Sequence, residues 1–251
     1  MLLEAIKKLV KAHPRRGCRH ITTLLRRDGW RVNYKRVHRL WKQEDFKVPR
    51  KRHKKQTLGD SSNACDKRAA TARNDVWTWD FIFDHTVDGR QLKYLSILDE
   101  HTRECLHLEP ERSIRADDVI EVLAKLMGRY GVPAHIRSDN GSEFIAKEMK
   151  KWFEKTGVDT LYIEPGAPWQ NGYAESFHSR LRDEFLEMNY FYTLAEAKRL
   201  TQDWKEHYNT RRPQKSLGDK TPNEFAKYCM GGCSASLCSA THPPMQCAPR
   251  G

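Results

Sequence analysis

The chain has 251 residues, 38% of them hydrophobic and 31% charged, with a formal net charge of +12. That length can bury one core of domain size and carry a small second unit. No apolar run approaches the roughly 18 residues that a membrane helix requires, and the opening MLLEAIKKLVKAHP is broken by Glu4, Lys7 and Lys8. The chain therefore reads as neither a membrane protein nor one with a secretory signal, and a cytoplasmic address is expected.

The positive charge is segregated. Residues 1–75 hold 22 Lys/Arg against 7 Asp/Glu, and the rest of the chain holds 23 against 26. A basic first third joined to a near-neutral remainder points to polyanion binding at one end and a different task at the other. The seven cysteines are odd in number, with Cys18, Cys65 and Cys105 scattered and Cys229, Cys233, Cys238 and Cys247 near the end. No disulfide framework is expected from them.

In chain order, Leu2, Ile6, Leu9 and Val10 recur at helical spacing. A second helix over Cys18–Arg27 would bury Ile21, Leu24 and Leu25, and Asp28-Gly29 ends it. Asn33 is an N-cap candidate for a third helix, in which Val37, Leu40 and Trp41 form the apolar stripe. Three short helices, the last one basic, read as a helix-turn-helix relative or an ordinary bundle with a basic face. On the first reading Asn33, Lys35, Arg36 and Arg39 are the DNA-binding candidates, early residues facing base edges and flanking ones facing phosphates. Six of the ten residues from Lys47 to Gln56 are Lys or Arg, including Lys51 and Arg52, so residues 47–75 read as a linker that follows the DNA backbone.

VWTWDFIF alternates with the period of a strand, Asp88-Gly89 marks a hairpin turn, and RQLKYLSILDE and RECLHLEP supply two more strands. A helix over about Ala116–Tyr130 follows, then the short strand AHIRSD, the helical SEFIAKEMKKWFEKTG and the strand VDTLYIEP. After the loop EPGAPWQNG, YAESFHSRLRDEFLEM reads as a helix with Phe177, Leu181, Phe185 and Met188 on its apolar side, and another helix runs from Thr193 to Tyr208. The order β-β-β-α-β-α-β-α predicts an α/β fold, a mixed sheet flanked by helices.

Three acids stand out. Asp80 lies in the first strand, Asp139 ends AHIRSD, and Glu175 opens a helix 36 positions further on. Two divalent cations about 4 Å apart need short anionic oxygen ligands on rigid elements. One carboxylate within a strand, one at a strand end and one on a facing helix meet that need. Asp99 and Glu100 are competitors for the place of Asp80, and His178, three residues past Glu175, could add an imidazole ligand.

WTWDF, DGRQLKYLSILDEHTREC, RSDNGSEF, PWQNGYAESF and YNTRRPQKSLGDKTPNEF together resemble the integrase core shared by retroviral integrases and bacterial DDE transposases. The closest resemblance is to the OrfB transposases of insertion sequences in the IS-three group. Residues 1–55 are similar to the helix-turn-helix region that precedes the core in that family. The resemblance implies an RNase H-like fold with a five-stranded sheet, and Asp80, Asp139 and Glu175 as catalytic metal ligands for two Mg²⁺ or Mn²⁺. It implies double-stranded DNA as partner and substrate, cleavage at element ends, and transfer of the released 3′-OH.

Arg182 matches a basic position of the family beside the DNA, while Asn140, Gln170 and Asn171 flank the acids and could orient a ligand or simply form turns. The family more often shows Asn-Gly where this chain has His178-Ser179. The expected organisation is a helix-turn-helix-like domain over 1–46, the linker over 47–75, the core over 76–188, a helical extension over 189–228 and a Cys-rich tail over 229–251. Pairing two DNA ends implies a homodimer or higher oligomer, and members of the family can gain an upstream partner from a preceding reading frame. A hydrolysis-only nuclease of the same fold and a DNA-binding protein without cleavage are the alternatives.

Overall fold

The computed structural model describes residues 1–48, 69–138, 152–154, 156–162 and 171–230. Helices α1 (Leu2–Ala12), α2 (Cys18–Arg27) and α3 (Tyr34–Gln43) close around Ile6, Ile21, Leu25 and Val37, all fully buried. These are residues that helical spacing places on one side. Gly29, at φ 87°, lets the chain leave α2 in the left-handed conformation. The Asn33 side chain caps α3 by accepting the Lys35 N–H at 2.9 Å. Lys35, Arg36 and Arg39 are exposed along that helix.

Strands β1 (Val76–His85), β2 (Gln91–Asp99), β3 (Cys105–Glu111), β4 (His135–Ser138) and β5 (Asp159–Tyr162) form one sheet in the order β3-β2-β1-β4-β5. The first three pair antiparallel, while β1, β4 and β5 run parallel, with α4 (Ala116–Tyr130) crossing between β3 and β4. This is the mixed five-stranded sheet expected from the order of elements. Among the described residues the α-helices α5 (Gly172–Glu184), α6 (Leu194–Thr210) and α7 (Pro222–Met230) follow the sheet.

β1 is central, so both of its faces are covered. Trp77 and Trp79 pack with Val119 and Leu123 of α4, while Ile82 joins Phe177, Leu181, Trp204 and Tyr208 of α5 and α6. Successive strand residues face opposite ways, which sends Thr78 and Asp80 to the same face as Ile82. A polar pair is thereby directed at α5. Phe83, the last aromatic of the alternation, is 46% exposed, with the Lys93 ammonium 5.9 Å from its ring centroid.

Two elements differ from the sequence reading. α5 stops at Glu184 instead of running to Met188, which is exposed. Phe185 leaves helical geometry at φ −138°, its ring packs 5.5 Å from Phe191, and its carbonyl accepts the Asn189 side chain at 2.7 Å. Tertiary packing thus wins over the continuing apolar period. The polar stretch after α6 also contains α7, which has little apolar periodicity but a complete capping box. Thr221 Oγ1 accepts the Glu224 N–H at 3.2 Å, Glu224 Oε2 accepts the Thr221 N–H at 2.8 Å, and Pro222 takes the first helical position.

The N-terminal helices are seated on α5–α7. Arg16 donates to Glu184 at 3.2 Å, and Arg212 donates to the same carboxylate through Nε and Nη2 at 2.9 and 2.5 Å. Arg27 forks onto Glu224 at 3.0 and 2.5 Å. Burial alone would raise the Glu184 carboxyl, but the hydrogen bonds and charge of Arg212, with Arg16, hold it down at about 2.

Three histidines pack around this cluster. Burial, then the Arg16 charge, push His13 down to about 4, His20 to about 3 and His207 to about 4. Their folded values lie below the unfolded value of about 6.5, so the unfolded chain takes up protons first. The stability from keeping them neutral is complete above pH about 6.5 and is lost as pH falls toward 4. A series of thermal midpoints from pH 7.5 to 5 is expected to fall steadily; a flat series contradicts the burial of these rings.

Candidate active site

Asp80 lies mid-β1, paired across the strands with Ser96 of β2, and its side chain is 22% exposed. Oδ1 accepts the N–H of Phe81 at 2.7 Å, while Oδ2 faces Asn171 Nδ2 at 3.4 Å and His178 Nδ1 at 3.6 Å. The buried Asn171 is held in turn by the Thr78 hydroxyl, which donates to its Oδ1 at 2.8 Å. Because Oδ1 accepts, the amide turns its N–H groups toward the carboxylate.

On the other side, the Ser96 hydroxyl donates to the Asp80 carbonyl oxygen at 2.9 Å, and His178 Nε2 lies 2.7 Å from its Oγ. Burial, then the charge of Arg182, push the His178 imidazole down to about 4. His178 is therefore neutral at neutral pH, and its contact with Asp80 is not an ion pair.

Asn171, Glu175, His178 and Arg182 follow one another at i, i+4, i+7 and i+11, which places them on one side of α5. The first and third of these touch Asp80, so the row they define carries Glu175 between them, exposed in the first turn. Arg182 is exposed at the far end of the row, near enough for its charge to reach His178. Asp139, Asn140, Gln170, Lys51 and Arg52 lie outside the described residues. The β1–β4 register pairs Thr78 with Arg137, so β4 ends at Ser138 close to the level of Asp80.

The competing acids are engaged elsewhere. Asp99 accepts the N–H groups of Asn74 and Thr102 at 2.7 and 2.8 Å and so braces the turn after β2. Glu100 is 1% exposed and lies 3.1 Å from Arg137. Burial pushes its carboxyl up to about 7 against the pull of that guanidinium.

Among the described residues no group of three or more His, Cys, Asp or Glu side chains is placed to hold a metal ion. The acids available on this face are Asp80 and Glu175, a hard oxygen donor set of the kind that suits Mg²⁺ or Mn²⁺. Sequence reasoning passed over Thr78 and Ser96, the hydroxyls that fix the two neighbours of Asp80. Ser96 did leave a signal, since it interrupts the apolar run YLSILD directly across from Asp80.

Comparison with known proteins agrees with this frame. Residues 1–54 match the family described as HTH-like domain, and residues 70–168 and 156–222 match two families described as Integrase core domain. The 39.2 kDa protein of insertion element IS476 from Xanthomonas euvesicatoria is 36% identical, over 87% of this chain and 62% of that protein. The 31.7 kDa protein of insertion element IS407 from Burkholderia multivorans is 33% identical, over 86% of this chain and 77% of that protein. The transposase of insertion sequence element IS904 from Lactococcus lactis is 27% identical, over 91% and 94%. The chain thus spans 62% of the length of the Xanthomonas relative.

Among solved structures, the HTLV-2 integrase catalytic core domain in complex with magnesium superposes with a TM-score of 0.50 at 13% identity, covering 62% of this chain and 97% of that one. The simian T-cell lymphotropic virus intasome in complex with the PP2A regulatory subunit B56 gamma gives 0.54 at 12% identity, covering 98% and 78%. Sheet order, flanking helices and these superpositions define an RNase H-like integrase core behind a helix-turn-helix-like region. The chain belongs to the integrase-core transposase family of bacterial insertion elements.

Proposed function

We propose that the protein is a DNA transposase that binds the ends of an insertion element, cleaves a strand there and joins the freed 3′-OH to target DNA. The observation that carries this reading is the α5 row, which places Glu175 between two residues that both touch Asp80. Asp139 is the residue that follows β4, whose end lies near the level of Asp80, and we assign it as the third acid.

In this reading Asp80, Asp139 and Glu175 would hold two Mg²⁺ or Mn²⁺ ions, as the magnesium complex of the HTLV-2 integrase core supports. Metal bound there would activate the attacking oxygen and stabilise the leaving one. The chain's own contribution is rigidity. Asn171, held by Thr78, and His178, beside Ser96, both face Oδ2 of the Asp80 carboxylate, while the Phe81 N–H holds Oδ1. Arg182 extends the row with a cation suited to a DNA phosphate, and Asn140 and Gln170 are assigned as ligand-orienting neighbours.

The N-terminal helices supply the grip on DNA. α3 presents Lys35, Arg36 and Arg39 to solvent, with Asn33 at its start, and Lys51 and Arg52 would continue the cationic track. A cytoplasmic enzyme working on the nucleoid is proposed, in keeping with its DNA substrate; among the described residues no helix is long and apolar enough to cross a membrane. Two element ends must be brought together, so a homodimer or higher assembly on DNA is proposed, with an upstream-frame protein as a possible further partner.

The test is incubation of a duplex bearing the element ends with the full chain and Mg²⁺, reading nicked and joined products on a denaturing gel. Joined products are expected. Nicks without joining would reduce the protein to a nuclease, and binding without either would leave a DNA-binding protein. Replacing Arg36 and Arg39 together with Ala is expected to weaken end binding by about 10- to 100-fold and to lower the slope of log affinity against log salt by about 2. Both side chains are exposed, so the circular dichroism should not change.

A further inference from the structure

The other flank of α5 borders a cavity of about 320 Å³ that takes no part in the row facing Asp80. Gly172, Ser176 and Arg180 line it at i, i+4 and i+8, and Arg103 and Arg137 face it from the sheet side. Arg137 lies against Glu100 at 3.1 Å. Among the described residues neither Arg103 nor Arg180 forms an ion pair. Arg103 stacks on the Tyr173 ring at 3.7 Å, and Arg180 donates to the Ser176 carbonyl at 3.3 Å.

Arg103 and Arg180 are half-buried, and a cation that gives up part of its hydration without a counterion gains little in return. Burial pushes both guanidiniums down, against the pull of Tyr173, Tyr208 and Glu100 at Arg103 and of Tyr208 and Glu184 at Arg180. The Arg103 backbone is also held at φ 61°, a conformation non-glycine residues seldom adopt, with its N–H donated to the Asp99 carbonyl at 2.9 Å. Asp99 and Glu100 line the cavity too, but Asp99 accepts backbone N–H groups and Glu100 lies against Arg137, so among the described residues Arg103 and Arg180 are left beside the cavity without an ion-pair partner of their own.

The cavity also lies at the start of α5, where among the described residues no side chain caps the helix. Among the described residues nothing lies within 4 Å of where a Cβ on Gly172 would stand, so an anion can approach the first backbone N–H groups past them. Leu98, Phe177 and Tyr208 form an apolar floor. Forked guanidiniums, helix N–H groups and an apolar floor suit a tetrahedral oxyanion that carries an organic group. The volume admits one nucleotide and excludes a duplex.

We propose that this cavity is a phosphate-binding site that takes the phosphate of a single nucleotide between Arg103 and Arg180. A free nucleotide and the terminal nucleotide of a DNA strand share that chemistry. Assigning the phosphate to DNA rests on the transposase reading, whereas the site itself does not.

Thermal unfolding of the full chain at constant ionic strength tests it, with inorganic phosphate, deoxyadenosine monophosphate and a 5′-phosphorylated tetranucleotide as probes. A saturable rise in the midpoint is expected. Arg103→Gln and Arg180→Gln should each raise the half-saturating concentration at least tenfold, while leaving the midpoint without phosphate close to the parent's. Ser176→Asp places a carboxylate in the same row and should abolish the rise without removing an arginine. Greater potency of the tetranucleotide identifies a DNA strand as the source, and greater potency of the mononucleotide a free nucleotide. Asp80→Asn, which stops the proposed cleavage, should bind all three probes as the parent does, so the two proposals can fail separately. The proposal is overturned if no probe gives a saturable shift. It is overturned equally if the arginine variants lose stability without phosphate and keep the parent's response to it.

Discussion

Asp80→Asn and Glu175→Gln are each expected to reduce strand cleavage and joining by on the order of 10³-fold or more, the several kcal/mol that metal-ion stabilisation of a transition state supplies. Both substitutions keep side-chain size and remove charge, so the effect isolates the anionic donor. Glu175 is exposed on the first turn of α5, and its replacement should leave the thermal midpoint within about 1 °C of the parent. Asp80 is only partly exposed, but its Oδ1 contact to the Phe81 N–H survives as a neutral acceptor in the amide. End binding should be unaffected in both variants, since neither acid is among the proposed DNA contacts on α3, at Lys51 and Arg52, or at Arg182. Activity at the parent's level in either variant means that the carboxylate is not a ligand.

The largest expected effect on stability is at Glu184. Its carboxylate is the common partner of Arg16 from the N-terminal helices and Arg212 from the segment after α6, and both arginines are under 9% exposed. Glu184→Gln leaves two guanidiniums buried against each other without an anion, and breaking a buried pair in that way costs about 3–5 kcal/mol. For a chain of this size that corresponds to a fall of about 10 °C in the thermal midpoint. Arg27→Ala offers the contrast. That residue also joins the N-terminal helices to the core, through Glu224, but the pair is 33% and 44% exposed and its loss should cost under about 1 kcal/mol. A loss below about 1 kcal/mol at Glu184 would falsify the view that this cluster fastens the two parts together.

Local order was legible where periodicity and caps agreed. Cys18–Arg27 and Ala116–Tyr130 have the bounds their apolar spacing suggests, and the Asn33 cap was readable from one residue type before a helical pattern. The end of α5 was not legible, because the period of Phe177, Leu181 and Phe185 continues past the point where packing against Phe191 turns the chain. α7 was hidden for the opposite reason. Its signal is a Thr-Pro-Asn-Glu capping box with little apolar period behind it, and a search for periodicity passes over it.

Contacts between distant segments leave no local trace at all. Arg16 and Glu184 are 168 residues apart, so nothing in either neighbourhood announces the seating of the N-terminal helices on the core. At the candidate site, motif order singled out Asp80 and Glu175, and helical spacing alone puts Asn171, Glu175 and His178 on one row. The supporting hydroxyls of Thr78 and Ser96 required the strand register, which pairs Asp80 with Ser96 only once β1 and β2 are aligned.

The claim that Glu175 is a metal ligand is tested most directly by Glu175→Cys, assayed for strand joining in Mg²⁺ and in Mn²⁺. A thiolate is a poor ligand for Mg²⁺ and a better one for the softer ion. The account predicts no joined product with Mg²⁺ and partial recovery with Mn²⁺, while Glu175→Ala stays inactive in both. Equal activity of the Cys variant in the two metals, or equal recovery by Glu175→Ala, would contradict it.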